Sequence, residues 1–203
     1  MVFGQTKVNL GLQASPNFAF IKSDIVDAEN KTGIKFNYGL MADILFTENY
    51  MLSTGIGHGY DGGKLTAPIK DENGADTTAF EMNYSAQFVR VPLLLKMRTK
   101  EIGYMRYFAV FGITAGIKVN EKVEVTDYQD VVDEEVNYIN PLKASLSVGL
   151  GAEYSLGGNT RLLGGIIFNN NFTNMLNKDN SLLVKNNSSN TFSNIALQIG
   201  VLF

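Results

Sequence analysis

Ile34-Lys35-Phe36-Asn37-Tyr38-Gly39-Leu40-Met41-Ala42-Asp43-Ile44-Leu45-Phe46 alternates with a period of two. Ile34, Phe36, Tyr38, Leu40, Ala42, Ile44 and Phe46 fall on one face. Lys35, Asn37, Gly39, Met41 and Asp43 fall on the other. Successive side chains of a β-strand point to opposite sides of the sheet, so this is a strand with one apolar and one polar face. Its 13 residues exceed the roughly 5–6 typical of soluble strands and the about 9–11 needed to cross a bilayer.

The same design recurs. From Pro141 to Leu156, Leu142, Ala144, Leu146, Val148, Leu150, Ala152 and Tyr154 oppose Lys143, Ser145, Ser147, Gly149, Gly151, Glu153 and Ser155. From Ser193 to Phe203, Ile195, Leu197, Ile199, Val201 and Phe203 oppose Asn194, Gln198 and Gly200. Less regular segments run from Thr6 to Ala14, Tyr50 to Tyr60, Met82 to Met97, Tyr107 to Val119 and Arg161 to Phe172. The total is eight. Connections alternate between short (Thr47–Asn49, Thr99–Arg106, Gly157–Asn159) and long (Ser15–Gly33, Asp61–Ala79, Asn120–Asn140, Thr173–Thr191). Residues 1–203 therefore form a single all-β domain, an eight-stranded antiparallel up-and-down transmembrane β-barrel. Short turns are expected on the periplasmic side together with both termini, and long loops outside the cell.

Composition agrees. Charged residues are 18%, below the roughly 25% of soluble domains. The net charge of −3 offers no basic face for nucleic acid. There is no Cys, hence no thiolate metal site, and no metal or cofactor is expected. No apolar run reaches the 18 or more residues of a membrane helix. Two aromatic girdles are expected in the absence of Trp. Phe46, Tyr50, Tyr104, Tyr107, Phe108, Tyr154 and Phe203 lie near the short turns. Phe18, Phe20, Phe36, Tyr38, Tyr60, Phe80, Tyr84, Phe168 and Phe192 lie near the long loops. Residues 1–5 read either as the tail of a signal peptide, with Val2 and Gly4 at −3 and −1 before Gln5, or as a frayed terminus; Met1 to Gly4 need not belong to the mature protein.

The last strand, Ile195 to Phe203, resembles the terminal strand of bacterial outer-membrane barrels, which ends in Phe. Phe88-Val89-Arg90-Val91-Pro92-Leu93-Leu94-Leu95-Lys96 resembles the "IPLLLK" strand of the PorT-like outer-membrane β-barrel family of Bacteroidetes, and Lys7 to Ala14 is similar to that family's first strand. The resemblance implies an outer-membrane location and recognition of the strand ending at Phe203 by the barrel-assembly machinery. It carries no catalytic residues. Expected partners are outer-membrane lipid and lipopolysaccharide, and the protein is expected to be a monomer.

Each candidate for chemistry has a plainer competitor. His58 is the single His. Small barrel enzymes that modify lipid pair a His with Ser and an acid, and Ser53 and Ser85 lie on adjoining segments, but no triad spacing is present. An interfacial His is the preferred reading, so no catalytic residue is assigned. Asp127, Asp130, Asp133, Glu134 and Glu135 lack the calcium-loop spacing and read as a solvated acidic loop, with divalent cations bridging to lipopolysaccharide phosphates as the alternative. The Asn-rich stretch from Asn169 to Asn194 reads as a polar loop, with an adhesive surface as the alternative. Lys7, Lys35, Asp43, Arg90, Lys96, Lys143 and Glu153 are expected inside, where they must pair or stay hydrated. A balanced set in an eight-stranded barrel fills it and opposes an open porin. A soluble lipocalin-like barrel would need apolar residues at Lys35, Asp43, Lys143 and Glu153. Finally, the alternation changes phase around Pro92: Met82, Tyr84, Ala86 and Phe88 precede it on one parity, Val89, Val91, Leu93 and Leu95 follow on the other. A β-bulge between Ala86 and Pro92 is expected to absorb one residue and keep Arg90 and Lys96 inside.

Overall fold

The computed structural model describes residues 7–23, 29–70, 76–126, 140–173 and 190–203. Nine strands occur among them: β1 (Val8–Ser23), β2 (Glu29–Lys31), β3 (Gly33–Leu45), β4 (Tyr50–Lys70), β5 (Asp76–Arg98), β6 (Met105–Thr126), β7 (Leu142–Gly157), β8 (Thr160–Asn171) and β9 (Asn190–Leu202). The eight long strands pair antiparallel with their neighbours in the order β1-β3-β4-β5-β6-β7-β8-β9. β9 returns to β1 with Gly11 opposite Leu202, so the sheet is a closed eight-stranded barrel. The seam is completed by Leu10 N–H to Phe203 O (3.1 Å) and Phe203 N–H to Leu10 O (2.8 Å). Closure leaves no unpaired edge within the eight-stranded belt, the condition a sheet must meet in hydrocarbon. β2 is a short extension that pairs with the upper part of β4, Lys31 opposite Lys64.

The alternation in sequence becomes two faces in space. Ile34 (76% exposed), Leu40 (56%), Ile56 (54%), Leu150 (69%) and Ile199 (55%) point outward. Asp43, Met51, Ser147, Glu153 and Asn194 are buried inside. A polar interior beneath an apolar exterior is the reverse of a ligand-carrying soluble barrel, and the lipocalin-like reading falls on it.

Short turns close one end. Thr47 Oγ1 accepts from the N–H groups of Asn49 (3.3 Å) and Tyr50 (3.1 Å), and Asn49 Nδ2 donates to Arg98 O (2.7 Å), tying this turn to the next strand pair. At the other end several expected loops are sheet. β4 runs to Lys70 and β5 starts at Asp76, so most of Asp61–Ala79 is a hairpin. β1 reaches Ser23 and β6 reaches Thr126. Residues 1–5, the acidic cluster Asp127 to Glu135 and the middle of the Asn-rich stretch lie outside the described residues, as do the side chains of Phe80, Met82 and Tyr84.

The expected bulge exists, but in the neighbouring strand. Between β5 and β6, Gln87 faces Asn120 while Phe88 faces Lys118, which leaves Val119 as the extra residue. β5 itself keeps one phase: Ala86, Phe88, Arg90, Leu94 and Lys96 are all buried on the lumen side. Phe88 therefore faces the lumen, not the lipid that its parity with Tyr84 suggests. Pro92 lies on that lumen-facing parity, and its missing N–H leaves its mark in the other ladder. The β4–β5 pairs stop at Thr54–Leu93 and resume at Gly57–Arg90. Gly55 bridges that gap at φ +154°, and a Cβ there would stand 2.1 Å from Leu40 O.

Two girdle residues also turn inward. Phe108 and Phe192 are 4% and 3% exposed, whereas Tyr50, Tyr104, Tyr107, Tyr154 and Phe203 do face outward. Room for Phe108 comes from Gly151 on the adjacent strand, where a Cβ would meet the Phe108 ring at 2.3 Å. Phe108 joins Met41, Leu94, Val110, Leu163 and Leu202 in an apolar cluster inside the barrel.

Candidate functional site: the barrel lumen

The lumen holds two charged clusters on opposite sides of the apolar one. Near the short-turn end, Lys96 on β5 reaches Asp43 on β3 (Nζ–Oδ2 2.7 Å) and Glu153 on β7 (Nζ–Oε1 2.5 Å). Arg98 and Arg161 approach the second oxygen of Glu153 at 3.5 and 3.2 Å. The Lys96 ammonium also stands 4.7 Å from the centre of the Phe108 ring. The long side chain thus spans strands that are not neighbours in the sheet, a cross-tie that backbone pairing cannot supply.

Toward the long-connection end the hub is Asp61 on β4, fully buried. Arg90 Nη2 lies 2.7 Å from its Oδ1, Lys143 forms a close ion pair with its Oδ2, and Asn194 Nδ2 donates to Oδ1 at 3.4 Å. Lys143 also stands 4.6 Å from the centre of the Phe88 ring, which explains a large aromatic on the polar face. From Asn194 a hydrogen-bonded chain crosses three strands: Asn169 Nδ2 donates to Asn194 Oδ1 (2.8 Å), Ser147 Oγ to Asn169 Oδ1 (2.7 Å), and Ser147 meets Thr114 (2.9 Å). A buried carboxylate costs several kcal/mol unless ion pairs and further hydrogen bonds compensate, and Asp61 has both. A cavity of about 100 Å³ remains among Gln13, Ser15, Ser53, Thr114 and Gln198, polar enough to hold water.

Of the expected lumen residues, Asp43, Arg90, Lys96, Lys143 and Glu153 are assembled into these clusters. Lys35 stands opposite Asn17 in the β1–β3 ladder and donates to Ser85 Oγ at 3.2 Å. Lys7 is exposed and lines the short-turn mouth. Three members are absent from the sequence-based set: Asp61, which falls there in a long loop, and Arg98 and Arg161 at strand ends. Asp61 is readable from parity, because it continues the inward series Ser53, Gly55, Gly57, Gly59 by one more step.

His58 borders the small lumen cavity but takes no part in the charged clusters. It lies on the outer face between Tyr38 and Tyr60, ring centres 5.5 and 5.4 Å away. Ser53 is on the lumen face of the same strand and Ser85 is engaged by Lys35, so neither forms a dyad with His58. Among the described residues no group of three His, Asp or Glu is placed to hold a metal ion.

The family follows from comparison of the sequence. Residues 3–177 match the model of the outer membrane protein beta-barrel domain. The chain belongs to that family. It is a bacterial outer-membrane β-barrel protein, which agrees with an apolar exterior closed on a polar lumen. No curated protein matches the sequence. Among solved structures, the barrel is similar to a major outer membrane protein of Thermus thermophilus, with TM-score 0.50, 14% identity, and 97% of this chain and 99% of that chain covered. OprG of Pseudomonas aeruginosa gives TM-score 0.49 and 11% identity over 98% of each chain. The Neisserial surface protein A gives 0.49 and 10% over 95% of each. At these identities the likeness is one of fold.

Proposed function

We propose that this outer-membrane barrel is a non-enzymatic scaffold with a filled lumen, which carries its long connections at the cell surface and supports envelope integrity or a secretion assembly. The observation behind it is the cross-lumen tie: Lys96 joins β5 to β3 and β7, and Asp61 joins β4 to β5, β7 and β9. With the apolar cluster between them, these ties occupy the interior that a diffusion pore would need open. On this reading the short turns and termini are periplasmic, the long connections meet lipopolysaccharide, the strand ending at Phe203 engages the barrel-assembly machinery, and the protein works as a monomer. The sequence from Phe88 to Lys96 supports a place in the PorT-like group of Bacteroidetes.

The test is conductance. Purified protein in planar bilayers is expected to give no large, stable channels, and Lys96→Ala combined with Phe108→Ala to give measurable ones. Steady porin-like steps from the unaltered protein would refute the filled lumen.

A further inference from the structure

At the short-turn mouth the barrel opens into a cavity of about 680 Å³, which shares Arg98 and Arg161 with the Glu153 cluster above it. Its lining includes Lys7, Arg98, Lys100, Arg106 and Arg161, with Glu48 and Glu101 as the only carboxylates among the described residues. Five cations against two anions leave an excess of three positive charges. The floor lowers it only to two, because Asp43, Glu153 and Lys96 together contribute one negative charge. Glu101 is already engaged by Arg106 at 2.6 Å, and Arg98 Nε is spent on Glu48 O at 2.9 Å.

A second observation points to a ligand rather than to a solvated rim. Arg161 is 9% exposed and is ion-paired through Nε to Glu153 Oε2 at 3.2 Å, yet its Nη2 has no acceptor, and Asn9 Nδ2, also on this lining, is a buried donor without one. Buried donors are normally satisfied, because leaving one unmade costs about 1–3 kcal/mol. A guanidinium presents a planar fork matched to phosphate oxygens, and the two positive charges left uncompensated suit a polyanion. The volume falls within the roughly 300–1,000 Å³ of small-molecule sites.

We infer that the short-turn mouth is a binding site for a phosphate-bearing polyanion, held by Arg161 and Asn9 at its wall and by Lys7, Lys100 and Arg106 around its rim. The phosphate could come from an anionic lipid headgroup of the adjoining leaflet or from a soluble phosphorylated compound.

Pyrophosphate is the probe. The protein, folded in zwitterionic micelles, is titrated calorimetrically against pyrophosphate, with sodium chloride at matched ionic strength as reference. Saturable one-site binding is expected, at least fivefold weaker in Arg161→Gln and in Lys100→Glu, and unchanged in Lys122→Glu at the opposite end. Lys100 is exposed, so its reversal leaves folding intact even where Arg161→Gln does not; heat-modifiable gel mobility reports folding of each. Repeating the titration in nanodiscs separates the sources. Binding lost in phosphatidylglycerol discs and kept in phosphatidylcholine discs identifies the headgroup as occupant, and binding kept in both identifies a soluble phosphate. No response beyond that of sodium chloride, or equal weakening in Lys122→Glu, overturns the proposal.

Discussion

Lys118 and Glu121 form an ion pair of 2.6 Å although they stand three residues apart in one β-strand. In a regular strand residues i and i+3 point to opposite faces. Here Val119 and Asn120 both face outward, and the extra residue returns Glu121 to the side of Lys118.

Deleting Val119 should therefore be tolerated. The remaining sequence would alternate without a break, with Gln87 and Phe88 facing consecutive residues. Deleting Phe111, in a stretch of β6 with no bulge, should instead exchange the faces of half the strand and cost several kcal/mol or prevent folding. Urea unfolding in lipid vesicles, with gel mobility as the fold assay, compares the two. Equal damage from both deletions would mean that Val119 does not absorb the register shift.

Asp61→Asn should destabilise the barrel by about 3–5 kcal/mol, because Arg90 and Lys143 would be left buried without a countercharge. Adding Lys143→Met should recover part of that loss by removing one of the two stranded cations. The measurement is the shift in urea midpoint at constant slope. A single variant as stable as the parent would show the cluster to be hydrated rather than held by Asp61.

Topology is open to direct labelling, since the chain contains no Cys. A Pro141→Cys variant, at the start of β7 by a long connection, should react with a membrane-impermeant maleimide on intact cells. A Lys100→Cys variant, in a short turn, should react only after the outer membrane is permeabilised. The reverse pattern would invert the proposed orientation.

His58→Ala removes two ring contacts from the outer face and should cost about 1 kcal/mol. Cells carrying the variant should keep the same lipid profile as cells carrying the parent protein. A lipid modification lost on this one change would overturn the non-enzymatic reading.

The barrel was legible wherever the two faces differ in chemistry. In β3 and β7 the inward positions are mostly small or polar and the outward ones apolar, so parity alone gives strand, face and membrane. Legibility failed where the contrast failed. The inward series Ala86, Phe88, Arg90, Pro92, Leu94, Lys96 mixes apolar with charged, because the lumen is packed by aliphatic chains and rings as well as by ion pairs. That mixture imitated a change of phase in β5, while the real one, at Val119 and Asn120, lacked a run of apolar residues to mark it. Asp61 was lost for another reason. Strand length was set by the thickness of a bilayer, and β4 does not stop there. The basic mouth gave no local signal at all, since Lys7, Arg98, Lys100, Arg106 and Arg161 meet only when strand ends and turns from distant parts of the chain converge.

β4, β5 and β6 have 21, 23 and 22 residues, while β8 and β9 on the far side have 12 and 13. Tight turns bound the wall at one end, so the surplus rises from the other rim. The difference of roughly ten residues, at about 3.3 Å each, adds roughly 30 Å measured along the strands. Among the described residues the wall is a parapet on one flank and a low sill on the other. Such a barrel has a heading within the membrane plane. A neighbour beside the sill encounters a different surface from one beside the parapet.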